Sequence, residues 1–153
     1  MPWEVVYHAA EPADWKVGDM WPAPEWTNSD IIGERYRTVY SKSRPPLMVV
    51  VPSVHSTQGA LFLVDRRGHA SPKGEGWAVV INGPLVVGQR PDVTLMPSIN
   101  CVGSYHGYIR NGIIADDCEG RKYPGIDARC PGKTETPRTE RKKARRGFKQ
   151  PGD

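Results

Sequence analysis

Glycine and proline interrupt this chain almost everywhere: sixteen glycines and fifteen prolines leave hardly any window in which a long helix could run. Proline lacks the amide donor that a helix interior needs, and glycine loses more freedom on being ordered there than any other residue. Short strands joined by turns are the natural result, and 153 residues suffice to bury one such core. The apolar runs Leu47 to Val51, Ala60 to Val64, Trp77 to Ile81, Leu85 to Val87 and Val93 to Met96 are each bounded by Gly, Pro, Asn or Asp. That spacing predicts an antiparallel sheet, sandwich or small barrel rather than alternating βα units. The expected class is mainly β, an α+β chain with one short helix.

The helix is placed at Ile31 to Tyr40, where Ile31, Ile32, Arg35, Tyr36, Val39 and Tyr40 recur at helical spacing behind Asn28, Ser29 and Asp30 as cap candidates. Pro45-Pro46 forbids its continuation. Before it, Trp3 to His8 reads as a first strand, Glu11 to Asp14 as a turn, and Trp15 to Trp26 as an ordered loop whose Trp15, Met20, Trp21 and Trp26 pack on the core. Near the other end, Gly107 to Asp116 predicts a hairpin, because Asn111-Gly112 supplies the two positive-φ residues of a type I′ turn.

Charge divides the chain. Residues 132–153 hold eight basic and three acidic groups, whereas the rest holds 13 basic and 14 acidic ones, so all the excess positive charge lies at the C-terminal end. From residue 131 onward too few apolar residues remain to offset the entropy of ordering them. The expected organisation is a β-rich domain at 1–130 and a disordered basic tail at 131–153. Within the tail Arg138, Arg141, Lys142, Lys143, Arg145, Arg146 and Lys149 are the expected contacts to nucleic-acid phosphates or an acidic protein. No apolar run reaches membrane-spanning length and no export signal is apparent; three cysteines without such a signal predict reduced thiols in a cytoplasm.

Chemistry-bearing residues crowd into Pro97 to Arg121. Cys101, His106, Cys118 and Cys130 form a candidate set of zinc ligands, although no Cys-x-x-Cys knuckle is present. His106 could serve as general base for Ser104 or Cys101, with Asp116 or Asp117 beside it, in a small metal-dependent hydrolase centred on Cys101, His106 and Asp116. The blander reading has His106 anchoring the loop that enters the hairpin, and His55 and His69 as surface residues.

The segments Arg44 to Pro52, Gly76 to Val79, Val93 to Asn100 and Ser104 to Gly112 together resemble an uncharacterised family of small proteins encoded by tailed phages and prophages. The likeness covers roughly residues 18–123 and is sharpest at Pro97-Ser98-Ile99 and at the Tyr105-His106-Gly107-Tyr108 hairpin. A more distant group sharing these features carries clustered cysteines suggestive of zinc, which this chain lacks near His55. The resemblance implies a phage or prophage origin and expression in the cytoplasm of a bacterial host. The leading expectation is a non-enzymatic accessory protein acting by binding, its tail directed to nucleic acid or an acidic partner. The hydrolase and a minor virion component are the alternatives.

Overall fold

The computed structural model describes residues 2–67, 78–96 and 98–127. Eleven strands are formed among them: β1 (Trp3–Glu4), β2 (Val6–Tyr7), β3 (Asp19–Pro22), β4 (Leu47–Val51), β5 (Ala60–Leu63), β6 (Ala78–Asn82), β7 (Asp92–Met96), β8 (Ile99–Cys101), β9 (Tyr105–Gly107), β10 (Ile109–Arg110) and β11 (Ile113–Ile114). They pair into a four-stranded sheet, β2-β3-β4-β5, a three-stranded sheet, β1-β11-β10, and the two-stranded pairs β6-β7 and β8-β9. The class is mainly β, as expected, and the sheets do not close into a barrel. All pairings are antiparallel except β2 with β3.

β4 is the centre of the largest sheet. All five of its residues are buried, which is why it reads as an unbroken apolar run instead of an alternating one. Met20 and Trp21 of β3 bury against it as expected, while Trp15 and Trp26 are partly buried and pack on the same core. The stretch expected to be a loop thus contributes a strand. Leu85 to Val87 lies in no strand, and the opening strand divides at Val5 between two sheets.

The helix is shorter than its periodicity predicts. Ile32 forms a β-bridge with Arg66, and the Gly33 amide donates to the Asp65 carbonyl at 2.9 Å, so the first residues of the pattern belong to the sheet margin. What remains is a short helical segment over 34–40 whose part at Tyr36–Tyr40 is π-type, closed by the Ser41 amide donating to the Tyr36 carbonyl at 2.8 Å. The Thr38 hydroxyl donates to the Glu34 carbonyl and the Ser41 hydroxyl to that of Arg37, a local competition that loosens helical bonding. Ser29 caps only the turn at Ile31.

The hairpin forms as predicted. Arg110 faces Ile113 across Asn111 (φ 52°) and Gly112 (φ 77°). Its tip docks on β7: Asn111 Nδ2 donates to Asp92 Oδ1 at 2.8 Å and the Gly112 amide to the Val93 carbonyl at 2.9 Å. A Cβ at Gly112 would collide with the Pro91 carbonyl and sit 2.6 Å from Arg90 Cγ. Gly112→Ala should therefore lower stability by roughly 2 kcal/mol, combining left-handed strain with displacement of β7. Chemical denaturation checks this, and an unchanged midpoint would contradict it.

Candidate functional site

Hairpin β8-β9 presents two chemically different faces. Its register pairs Ile99 with Gly107, Asn100 with His106 and Cys101 with Tyr105. Because side chains alternate across a strand, Ile99, Cys101 and Tyr105 fall on one face, and Ser98, Asn100, His106 and Tyr108 on the other. The first face is core: Ile99 and Tyr105 are fully buried. The second is polar and partly open.

On that second face His106 stands between two partners. Its Nε2 lies 2.9 Å from Ser98 Oγ and its Nδ1 2.8 Å from Glu119 Oε2. Glu119 is held in turn by Arg121, whose Nη2 donates to Oε1 at 2.8 Å. A carboxylate only accepts hydrogen bonds, so an ionised Glu119 places the imidazole proton on Nδ1 and leaves the Nε2 lone pair facing the Ser98 hydroxyl.

Asp117 is the anchor beneath this chain. Its side chain is fully buried and receives the amides of His106, Glu119 and Arg121 at 2.8–2.9 Å together with Arg121 Nη1 at 2.9 Å. Burial alone would raise its pKa, but these donors outweigh it and bring the carboxyl down to about 2. Tyr123 completes the network, donating to the Ser104 carbonyl at 2.6 Å and approaching Asp117 Oδ1 at 3.3 Å. Burial, followed by the Asp117 charge and hydrogen bond, pushes its phenol up to about 12. The Ser104 hydroxyl donates to Ser53 Oγ at 3.2 Å rather than to His106.

Ser53 and Tyr123 also border a cleft of about 210 Å³ lined by 53–57 and 122–124. Its walls carry Ser53, His55, Ser56, Thr57, Lys122 and Tyr123, and among the described residues no carboxylate lines it. Tight turns shape it, with the His55 amide donating to Ser53 Oγ and the Gln58 amide to Ser56 Oγ. Gly125, at φ 88°, comes so close to Thr57 that a Cβ there would lie 3.0 Å from Thr57 Cγ2. A continuous polar network therefore runs from this cleft, through Ser53, Ser104, Tyr123, Asp117, Arg121 and Glu119, to His106 and Ser98.

The residues singled out from the sequence are only partly brought together. His106 bonds Ser98 and Glu119, not Ser104 and Asp116, because Ser104 lies in the turn before β9 and Asp116 is exposed beyond the hairpin. Cys101 falls on the face opposite His106, and burial, offset in part by Arg66, raises its thiol pKa, disfavouring a thiolate. Cys118 is exposed, and its amide, not its thiol, meets His106, donating to the carbonyl at 2.6 Å. Among the described residues no group of three or more His, Cys, Asp or Glu could hold a metal ion, and a zinc site on Cys101, His106 and Cys118 does not fit this geometry. Cys130, His69, the boundary near residue 130 and the tail cations Arg138, Arg141, Lys142, Lys143, Arg145, Arg146 and Lys149 lie outside the described residues.

Ser98, Glu119, Arg121 and the cleft were not expected. The missing signal was a second hairpin: with Gly103 (φ 77°) recognised as a turn residue, Asn100 falls opposite His106, and Ser98 follows two residues away on the same face. No helix among the described residues is long and apolar enough to cross a membrane. No family model, no curated protein and no solved structure matches this chain.

Proposed function

We propose that this chain acts by binding, as a phage or prophage accessory protein that seats a phosphate of a nucleic-acid backbone in the cleft between 53–57 and 122–124. The observation that carries this reading is the cleft lining: Lys122, the His55 ring and the hydroxyls of Ser53, Ser56 and Thr57, with no carboxylate among the described lining residues to repel an anion. Lysine, serine and threonine side chains are among those that phosphate oxygens meet in nucleic-acid interfaces. The cleft volume, about 210 Å³, is small for a free drug-sized ligand, for which roughly 300–1,000 Å³ is usual. It suits one protruding group of a larger partner. The eight basic residues of 132–153 would then supply additional, sequence-independent attraction.

Fluorescence anisotropy with labelled oligonucleotides, run on the full chain from roughly 50 to 200 mM salt, tests this. Log affinity should fall linearly with log salt, and Lys122→Ala should reduce the steepness by about one, equally for unrelated sequences. Replacing the seven cations between positions 138 and 149 by glutamine in the full chain should reduce it further. Identical slopes for Lys122→Ala and the parent would remove the cleft from the interface. Binding of an acidic polypeptide without oligonucleotide binding would reassign the partner.

A further inference from the structure

We propose that Ser98 is a nucleophile, activated by His106 and positioned indirectly by Glu119 and Arg121, and that the outer face of β8-β9 cleaves carboxylic esters. This activity is independent of phosphate binding in the cleft. The arrangement is nucleophile, base and orienting carboxylate in hydrogen-bonded sequence, at 2.9 Å and then 2.8 Å, which is the geometry that turns a weak hydroxyl into a nucleophile. The proton on Nδ1 directs the free Nε2 lone pair at Ser98 Oγ.

Fastening the hairpin to the segment after it accounts for the Glu119 end of this side-chain chain but not for the Ser98 end. The backbone of His106 already fastens the hairpin to the following segment, its amide donating to Asp117 Oδ1 at 2.8 Å and its carbonyl accepting from the Cys118 amide at 2.6 Å. The imidazole adds one more tie to that segment through Nδ1 and Glu119, but its Nε2 is spent on Ser98. It is held upright, 28% exposed, between a hydroxyl and a carboxylate on the open face. Two neighbours suit a reacting carbonyl. Asn100, directly opposite His106, is exposed and its amide makes no hydrogen bond among the described residues, leaving it free to donate to a developing oxyanion. Tyr108, two residues beyond His106, has the Arg110 guanidinium 4.1 Å from its ring centroid and offers a flat wall for the acyl or leaving group. Because the face is open, the ester can be a pendant group on a larger molecule.

In the reaction Ser98 Oγ bonds to the carbonyl carbon as its proton passes to His106 Nε2. The tetrahedral adduct collapses by breaking the bond to the leaving oxygen, which departs as alcohol with that proton. Water then gives a proton to Nε2 and attacks the acyl-serine. The carboxylic acid leaves and the proton returns to Ser98 Oγ, so one ester and one water yield one acid and one alcohol.

A fluorophosphonate probe and p-nitrophenyl acetate applied to the full chain test the assignment. The probe should label the parent protein on Ser98, located by peptide mass spectrometry; Ser98→Ala should abolish labelling and ester turnover, whereas Ser43→Ala, at an exposed serine remote from the site, should retain both. His106→Gln should slow turnover by about 100-fold or more. Glu119→Gln should lower kcat with KM unchanged, and Glu119→Asp should restore part of the loss, a split that weakened folding would not produce. Matching thermal melts for the parent and Ser98→Ala exclude unfolding as the cause. An unlabelled parent protein, or Ser98→Ala labelled as strongly as the parent, overturns the proposal.

Discussion

Replacing Asp65 by alanine is expected to destabilise the protein by about 3–5 kcal/mol, visible as a lower urea midpoint with an unchanged slope. Asp65 is completely buried and receives Arg44 through two parallel bonds of 2.8 Å, with the Leu47 amide donating to the same carboxylate at 2.9 Å. Arg44 itself is only 11% exposed and stands 4.9 Å from the ring centroid of Tyr40 and 5.7 Å from that of Tyr36. Removing the carboxylate leaves a buried guanidinium uncompensated and frees the junction between the helical turn and β4. Asp65→Asn preserves the shape but cannot receive both guanidinium donors through charged oxygens, and should lose less. A change under about 1 kcal/mol for Asp65→Ala would show that the pair is solvated far more than its burial implies.

The second large effect concerns acid. Asp117 gathers three amides, one guanidinium nitrogen and a phenol around one buried carboxylate, so Asp117→Ala should cost about 3 kcal/mol near neutral pH. The dependence on pH follows from its lowered pKa. A carboxyl at about 2 in the folded protein and 3.8 otherwise stabilises fully above pH 3.8 and loses that contribution as the pH falls through 2. The stability difference between the parent and Asp117→Ala should therefore be level above pH of about 5 and shrink below pH of about 4. Urea titrations at stepped pH measure it. A difference that stays constant down to pH 2 would mean that the carboxylate is not the group holding this segment.

Much of the architecture was legible because it depends on local chemistry. Asn111-Gly112 demanded its turn through φ alone, Leu47 to Val51 announced a strand buried on both sides, and Pro45-Pro46 stopped the helix where expected. The helix start failed for a reason outside the local pattern: Ile31 and Ile32 have helical spacing, but the Ile31 carbonyl accepts from the Arg67 amide and the Gly33 amide donates to the Asp65 carbonyl, which brackets the bridge of Ile32 with Arg66.

The site was legible only as a neighbourhood. Sequence proximity pointed to Pro97 through Arg121 and to His106 within it, yet could not choose among Ser98, Ser104, Asp116, Asp117 and Glu119 as partners. A one-residue change of strand register moves every side chain to the opposite face. Register is set by the turn at Gly103 and by burial of Ile99 and Tyr105, not by the polar residues themselves.

The sequence by itself determined the kind of fold, the position of the Asn111-Gly112 hairpin and the concentration of positive charge beyond residue 131, because composition, turn stereochemistry and net charge are properties of short stretches of chain. Only the tertiary structure decided that His106 meets Ser98 and Glu119, that Cys101 turns inward, and that 53–57 and 122–124 enclose a cleft with no carboxylate among its described residues. Those are contacts between segments 8 to about 70 residues apart in sequence, and they exist only once the apolar faces have chosen which side of each strand is buried.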